Sequence, residues 1–421
     1  MSKQLTNSVF PGSVVKLDSG LTFIHQEITT TPVVVADVWV RAGANLEPDS
    51  WFGMAHFLEH MIFKGTPSLL PGEFDYHIEK IGGVSNAATS HDYAHYCITT
   101  AANYLEHTLP HLGELLLNAA IPDDEFIKER DVVLEEIRAY GDDPDCVGFQ
   151  SLVKNVYQNH PYGRSVLGTE GQLMQHSPEA MRCFYRSYYQ PENMTVVVVG
   201  GIGENAAREL VNRTFADFPQ RDCCPQVTKI AAPIIKGIRR HELILPRLEQ
   251  ARLMMAWKVP GVSDIQAVYG LELLSVLLGE GRISRLVYDL REEKQIVQQV
   301  CCSLSLQQES SLFTITAWLD PEYLERVENL ICVHLQELQN QEITPQELNR
   351  IQKFLCHEYA FSTETPNQLS SFYGYYHTIA EAELAITYPQ KIKSFNSQHL
   401  QKLAQKYLSI ANYVVTILKP C

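Results

Sequence analysis

The sequence predicts a mixed fold of helices and strands, arranged as two similar domains. The chain has 421 residues, more than the roughly 250–300 residues that one hydrophobic core usually serves. Segments rich in β-branched residues alternate with segments of helical periodicity, and the same order recurs in both halves. Three prolines interrupt the pattern between positions 217 and 237, as is typical of a linker. We therefore expect a duplication, with domains at 1–216 and 238–421 joined by a linker at 217–237.

The first half begins with strands and continues with helices. Two strand-like segments flank an Asp-Ser-Gly turn at 18–20, which predicts a hairpin. A later helix begins after Pro122, with two aspartates in its first turn, and ends at Gly141. In order, the predicted elements are strands 13–17, 21–27 and 32–43, helices 49–64 and 71–82, two short strands within 85–101, helices 103–119 and 123–140, and strand 193–202.

The second half repeats this order, but its first helix carries no histidine. That helix, at about 263–279, is mostly apolar. If the halves are duplicates, only the first keeps the polar cluster described below, as expected for one active and one supporting domain. In order, the predicted elements are strands 240–246 and 249–258, helices 263–279 and 281–293, strand 311–319, helices 321–339 and 344–361, and strand 412–419.

Charge and cysteine content restrict the possible function classes. The net charge of −15 argues against nucleic-acid binding, because an acidic surface repels phosphate backbones. The ten cysteines form no Cys-x-x-Cys pair and fit reduced thiols in a cytosol-like compartment. The first residues lack the apolar core of a signal peptide and the Arg-rich pattern of a transit peptide. No stretch approaches about 18 uninterrupted apolar residues, so we expect a cytoplasmic protein without a membrane span.

A candidate metal-binding motif lies at 55–65, with the sequence AHFLEHMIFKG. Residues four apart share one face of a helix, so His56 and His60 can bind one ion through their imidazoles. Zinc suits imidazole and carboxylate ligands, and a catalytic zinc site usually has three protein ligands and a water. Glu59 borders the same face, where a carboxylate can accept a proton from that water.

The alternative is a chance pattern on an ordinary core helix. His91 and His95 are also four apart, but they lie in strand-like sequence with no glutamate between them, and we interpret them as structural or surface residues. Around His56 the helix is apolar. Two histidines and a carboxylate buried there without partners would cost on the order of several kcal/mol. A metal ion would supply the missing partner, so the sequence favours the metal site.

The predicted helix 123–140 offers the third ligand. Its carboxylates include Glu129, Glu135 and Glu136. Positions 129 and 136 are two turns apart and share a face, whereas Glu135 points about 100° away from Glu136. Spacing favours the face of Glu129 and Glu136 but leaves open which residue would bind the metal. The alternative is that all three are solvated charges on an acidic helix.

Together these residues resemble the pitrilysin/insulinase family of zinc metallopeptidases, the inverzincins, and most closely its short-chain, processing-peptidase-like branch. The resemblance rests first on HFLEHMIFKGT at 56–66 and ERDVVLEEI at 129–137. Three further blocks, at 82–96, 160–169 and 188–202, also resemble family sequence. The resemblance therefore covers nearly the whole chain.

The resemblance implies a ligand set and a role for each residue. The family's third ligand follows the second histidine by 76 positions, which is Glu136 here, and its additional acidic residue seven positions earlier is Glu129. One Zn²⁺ per chain would then be held by His56, His60 and Glu136. Glu59 would deprotonate the water that attacks a peptide carbonyl. Glu129 would orient the ligand shell.

The resemblance also implies an architecture and a substrate class. It predicts an α+β fold in which each domain is a mainly antiparallel sheet packed with helices, the N-terminal domain catalytic and the C-terminal domain homologous but non-catalytic. Two such chains, or one chain of double length, enclose a chamber in which unfolded peptides are cleaved. Substrate adds as a strand to a sheet edge near the metal, which by position is the segment around Asn86 and Ala87. An ordinary strand flanked by turns is the alternative for that segment.

One departure from the family concerns the substrate-binding pair of the second domain. The family often has an arginine there and a tyrosine seven residues later; this chain has Arg291 but Gln298. The hypothesis is a heterodimer in which a related non-catalytic chain supplies arginine and tyrosine, and a homodimer is the alternative. We expect a zinc-dependent endopeptidase for unfolded peptides. The alternatives are a non-catalytic structural or scaffolding subunit of the same fold, and a zinc hydrolase for other substrates.

Overall fold

The protein forms two compact units, each made of several chain segments. The computed structural model describes residues 11–225, 227 and 230–421. The N-terminal residues 1–10, which were part of the argument against a leader, and positions 226, 228 and 229 of the predicted linker lie outside the described residues. One unit comprises the described residues of Met1–Ile137, Ser165–Lys229 and Phe361–Thr387, and the other comprises Arg138–Arg164, Ile230–Ala360 and Tyr388–Cys421. The predicted domain boundaries stay a prediction.

Groups of strands and groups of helices follow one another along the described chain. The strands are β1 Ser13–Lys16, β2 Thr22–Glu27, β3 Val33–Val40, β4 Val84–Thr89, β5 Ala94–Ala101, β6 Met194–Gly200, β7 Ile238–Ile244, β8 Ala251–Pro260, β9 Gln299–Ser305, β10 Ser310–Leu319 and β11 Tyr413–Lys419. The α-helices are α1 Met54–Ile62, α2 Glu73–Glu79, α3 Leu105–Leu117, α4 Asp123–Asp142, α5 Pro144–Tyr157, α6 Glu170–Leu173, α7 Pro178–Tyr188, α8 Glu204–Thr214, α9 Ile265–Gly279, α10 Leu324–Asn340, α11 Pro345–Phe361, α12 Pro366–Ile379, α13 Glu383–Lys393 and α14 Ser397–Tyr407.

The two sheets share one topology. Among the described residues, the strand order is β1-β2-β6-β3-β5-β4 in the first sheet and β7-β11-β8-β10-β9 in the second. Strand β2 pairs in parallel with β6, and β7 pairs in parallel with β11. All other neighbours are antiparallel. When β1 is set aside, the strands of each half follow the same order, which confirms the predicted fold of two similar, mainly antiparallel domains.

Several predicted boundaries are wrong for identifiable reasons. The predicted helix 49–64 is interrupted: Asp49–Trp51 is a 3₁₀ turn, and α1 begins only after Gly53, which has a φ of +87°. The segment 281–293 is π-helical only over Val287–Glu293. Strand β9 and helices α5–α8 and α12–α14 were not predicted as such. Strand β9 has the sequence QVCCSLS. It was missed because this mixture of polar and apolar residues, which suits an edge strand, contains no apolar run.

Two helices pack on the sheet of the other half of the sequence. Helix α5 contacts β8 and β11 in the second unit, and α12 contacts β3 and β6 in the first. At α12 the approach is close, because a Cβ atom at Gly374 would lie 2.0 Å from Nε1 of Trp39. Glycine at 374 therefore allows the helix to reach the sheet.

Helix α9 belongs to the core of the second unit. The window Val262–Gly279 is long and apolar enough to cross a membrane by length and composition, and 67% of it is buried inside the protein. Leu271, Leu274 and Leu278 of this helix lie in the hydrophobic core. Its place in a core accounts for its apolar composition.

Candidate metal centre

Helix α1 carries the predicted motif, and Glu47 and Gly53 fix where it begins. The buried Glu47 carboxylate accepts hydrogen bonds from the backbone N–H groups of Gly53 at 3.0 Å and Ala55 at 2.7 Å. These bonds satisfy donors that a helix start leaves without intrahelical partners. A Cβ atom at Gly53 would lie 2.6 Å from the carbonyl oxygen of Leu167. The positive φ and the close contact together require glycine there.

Helix α4 lies beside α1 through contacts in the hydrophobic core. The ring centroids of Phe57 and Phe126 are 4.6 Å apart. Val133, two turns after Phe126, is fully buried in the same core. Because residues seven apart return to one face of a helix, Glu129 and Glu136 lie on the same side of α4. The core contacts therefore set the position of both carboxylates.

His56, His60 and Glu136 come together as a potential metal site. Their ligand atoms all lie within 4.8 Å of one another, and in the described part of the chain this is the one such grouping. A single oxygen of Glu136, Oε2, lies 3.6 Å from Nε2 of His56 and 3.5 Å from Nε2 of His60. Glu129, which spacing could not separate from Glu136, and Glu135, which spacing disfavoured, both lie outside the grouping.

The spacing and the donor types fit a zinc ion. Ligands about 2.0–2.2 Å from a tetrahedral zinc ion are about 3.3–3.6 Å from each other. The distances from Oε2 of Glu136 to Nε2 of His60 and of His56, 3.5 and 3.6 Å, agree with this requirement. Burial and the neighbouring His60 lower the pKa of His56 to about 4, so its ring is neutral near pH 7. A neutral ring has a nitrogen lone pair available for a metal.

Glu129 contacts the second histidine on the nitrogen that faces away from Glu136. Nδ1 of His60 donates to Oε1 of Glu129 at 2.9 Å, and Nζ of Lys64 lies 2.6 Å from Oε2. Burial would raise the pKa of Glu129, but the hydrogen bonds from His60 and Lys64 outweigh it and lower the pKa. Burial would lower the pKa of His60, but the hydrogen bond and charge of Glu129 outweigh it and raise that pKa. The Glu129 bond leaves Nε2 of His60 as the nitrogen directed to Glu136.

Glu59 is linked to the first sheet through Thr89. Oγ1 of Thr89, the last residue of β4, donates to Oε2 of Glu59 at 2.5 Å. Burial raises the pKa of Glu59, and the bond from Thr89 opposes that rise. A carboxylate whose pKa is raised from its usual acidic range is suited to exchange protons near neutral pH.

The other predicted site residues are distributed over both units. Asn86 and Ala87 lie in β4, an edge strand that pairs with β5. An edge strand offers backbone groups to an added strand. Arg291 belongs to the second unit, where its guanidinium donates to the carboxylate of Glu292 at 2.9 and 2.6 Å. A role for Arg291 at the metal site stays a prediction.

Three residues that were not predicted from the sequence contact the site residues or fix their helix. These are Glu47, Lys64 and Thr89. Lys64 could have been found, because it lies one turn after His60, just past the end of α1, and a basic residue there can reach the same carboxylate. Glu47 and Thr89 have no comparable local signal, since the loop before α1 and the sheet bring them to the site.

Known proteins resemble this chain over almost its full length. The family model described as Insulinase (Peptidase family M16) matches residues 22–170, and the model described as Peptidase M16 inactive domain matches residues 176–355. An uncharacterized zinc protease of Bacillus subtilis, YmxG, is 27% identical over 96% of this chain and 97% of that protein.

Solved structures agree with the family models. A protease from Helicobacter pylori is 28% identical, with a TM-score of 0.92 over 97% of this chain and 99% of that chain. Pitrilysin, at 16% identity, shares the fold with a TM-score of 0.80 over 97% of this chain and 45% of that chain. The clustered histidines and Glu136 all fall within the Insulinase match at 22–170. The chain therefore belongs to the M16 family of peptidases, the pitrilysin/insulinase family that its motif resembles.

Proposed function

We propose that this chain is a zinc-dependent endopeptidase whose metal is held by His56, His60 and Glu136. The observation that carries the proposal is the convergence of two imidazole nitrogens on one carboxylate oxygen, at 3.6 and 3.5 Å. A second carboxylate, Glu59, adjoins the motif and carries a raised pKa. The zinc-protease name of the Bacillus subtilis relative supports the choice of metal.

The protein's own residues divide the work of peptide hydrolysis. A zinc ion at this site would act as a Lewis acid and make a water molecule more acidic. Glu59 accepts a proton from the attacking water and returns it to the amine that leaves. Thr89 holds the Glu59 carboxylate through the 2.5 Å hydrogen bond. Glu129 keeps His60 in the tautomer that directs Nε2 toward the metal position.

Strand β4 is the proposed binding edge for the peptide. It pairs with β5 through residues such as Asn86 and Ala87, opposite Cys97 and Tyr96, and it ends the sheet order on its other side. Peptides bind such edges by adding a strand, so that backbone hydrogen bonds give affinity without a fixed sequence. Thr89 in the same strand contacts Glu59, which supports a place for the peptide next to the proton-transferring group.

A partner chain completes the proposed enzyme. Arg291 is engaged with Glu292, and position 298 holds an exposed glutamine where the family often has tyrosine. This chain also aligns with less than half of the pitrilysin chain. We favour a heterodimer with a related chain that supplies the arginine and tyrosine, with a homodimer as the alternative. Native mass measurement on protein purified from its source cell separates the two, and a fully active monomer would contradict both.

Zinc analysis combined with a cleavage assay tests the proposed function. Glu59→Gln should keep one zinc ion per chain and lose about 10²–10⁴-fold in the cleavage rate of an unfolded peptide, because it removes the proton acceptor. Glu135→Gln, which changes an exposed carboxylate on α4, is the matched control and should behave as the unaltered protein. Both the single chain and its native assembly should be assayed. Cleavage by Glu59→Gln at the normal rate would refute the mechanism. Absence of zinc and cleavage in the assembly would favour a non-catalytic subunit.

A further inference from the structure

We propose that Lys64 is a positioning residue of the metal site, acting on His60 through the carboxylate of Glu129. The inference rests on the proposed zinc site and assigns a role to a residue outside the ligand set. It states that the ammonium group of Lys64 holds the carboxylate of Glu129 in its orientation. The oriented carboxylate then holds the imidazole of His60 for the metal.

The geometry gives each oxygen of Glu129 one partner. Oε1 accepts from Nδ1 of His60 at 2.9 Å, and Oε2 lies 2.6 Å from Nζ of Lys64. The Glu129 side chain is 9% exposed, and that of Lys64 is 29% exposed. A carboxylate so well buried needs a partner for each of its oxygens. Lys64 supplies that cation on the oxygen that His60 does not use.

The backbone after α1 places Lys64 at this position. Its N–H donates to the carbonyl oxygen of Met61 at 3.1 Å, so the chain is still wound as a final helical turn. Gly65 follows with a φ of +102°, and a Cβ atom there would lie 3.1 Å from the carbonyl oxygen of Leu69. The carbonyl oxygen of Gly65 accepts from the N–H of Ala120 at 3.1 Å. The glycine thus turns the chain away immediately after Lys64, which stays beside the helix end.

Charge balance indicates why a cation is needed there. Glu59, Glu129 and Glu136 would together bring three negative charges to the site, one more than a divalent ion balances. Lys64 adds the remaining positive charge. Without it, Oε2 of Glu129 would lose its ion pair, and the carboxylate would be free to turn away from Nδ1–H of His60.

The test compares zinc affinity in matched lysine variants of the full chain. Protein is stripped with a chelator and titrated with zinc against a chromophoric competitor. Lys64→Met should raise the zinc dissociation constant by about 10- to 100-fold, the usual effect of losing a group behind a metal ligand. Lys128→Met is the control. Lys128 lies on α4 and pairs with Glu125 at 2.6 Å, so this variant loses the same charge and a similar ion pair at a place away from the histidines. Its zinc affinity should be unchanged.

Two further variants distinguish positioning from general damage to the fold. Lys64→Arg keeps the charge and should recover most of the affinity. In a Glu129→Gln background, Lys64→Met should cause no additional loss, because its effect passes through the Glu129 carboxylate. The visible spectrum of the cobalt-substituted protein should change in Lys64→Met and not in Lys128→Met. If Lys64→Met does not fold, Lys64→Gln, which removes the charge but keeps a polar end, is titrated in its place.

The outcomes separate this inference from the proposed function. Normal zinc affinity in a folded Lys64→Met or Lys64→Gln chain would overturn the role of Lys64 while leaving the metal site intact. Equal losses with and without Glu129 would also overturn it, because Lys64 would then act by another route. If the unaltered chain binds no zinc, or if Glu136→Gln binds zinc as tightly as the unaltered chain, the proposed function itself fails and the inference fails with it.

Discussion

Replacing Thr89 with valine should move the acid limb of the pH–rate profile to higher pH. Valine has nearly the shape of threonine but lacks the hydroxyl group that donates to Oε2 of Glu59 at 2.5 Å. That hydrogen bond favours the ionised carboxylate and opposes the rise in the pKa of Glu59 that burial causes. Removing it should therefore raise the pKa further. Glu59 accepts a proton only when ionised, so kcat/KM should begin to fall at a higher pH in the variant.

The size of the shift follows from the strength of the lost bond. A hydrogen bond to a charged group contributes about 1.5–3 kcal/mol, and one pKa unit corresponds to about 1.4 kcal/mol. The acid limb should move by about one to two pH units. A bound zinc ion would affect the pKa of Glu59 in both proteins, so its contribution cancels in the comparison. Well above the limb, the two rates should be similar.

The assay measures kcat/KM for an unfolded peptide between pH 5 and pH 9 with both proteins fully loaded with zinc. Thr89→Ser, which keeps a hydroxyl group, is the control and should retain the original limb. An unchanged limb in Thr89→Val would refute the assignment of Glu59 as the group that titrates. An equal shift in Thr89→Ser would show that the effect comes from packing and not from the hydrogen bond.

Three further predictions address the ligand set and the fold. Glu136→Gln should weaken zinc retention measured by competition titration, whereas Glu135→Gln should not; the reverse result would reassign the third ligand. Burial lowers the pKa of His25, whose Nε2–H donates to a backbone carbonyl at 2.9 Å. Below the unfolded pKa near 6.5 the unfolded chain therefore takes up a proton that the folded chain does not. The free energy of unfolding should then fall by up to about 1.4 kcal/mol per pH unit as the pH decreases. His25→Gln should reduce that loss in denaturant titrations at pH 7 and 5, and an unchanged loss would contradict it. Gly374→Ala should lower the melting temperature, because its Cβ would lie 2.0 Å from the indole ring of Trp39. Gly141→Ala is the control: no heavy atom lies within 4 Å of its Cβ, so it should be neutral or stabilising by up to about 1 kcal/mol. Equal effects of the two substitutions would refute the packing argument.

Strands were easier to predict from this sequence than the ends of helices. Runs such as that of β3 are β-branched and nearly continuous, so periodicity alone identifies them. The predicted start of helix α1, at residue 49, is too early. The observed start depends on the contact of Gly53 with Leu167, which is more than a hundred positions away in the sequence. The exchange of α5 and α12 between the sheets was equally inaccessible, because each helix is ordinary in sequence and only tertiary contacts show which sheet it covers.

The metal site was predictable as far as helical periodicity extends. His56 and His60 share a face by their spacing of four, and Glu129 and Glu136 by their spacing of seven. Spacing could not rank the two glutamates, and the structure separates them by the core contact of α4, which directs Glu136 to both histidines. Thr89 was missed because its partner, Glu59, is 30 positions away, whereas Lys64 is close enough to His60 for helical spacing to have indicated it.

The contrast between α1 and α9 leads to a prediction about metal stoichiometry. The two helices follow equivalent strands, α1 after β3 and α9 after β8. Helix α9 is buried on nearly every side, whereas α1 leaves Glu59 and His60 partly exposed. Helix α9 carries a single carboxylate, Glu272, and no histidine, so it lacks the pair of imidazoles that α1 offers to a metal. Zinc titration of the stripped chain should therefore saturate at one equivalent, and Glu136→Gln should remove it. A second equivalent of comparable affinity that survives in Glu136→Gln would show that the second half also holds metal and would refute this reasoning.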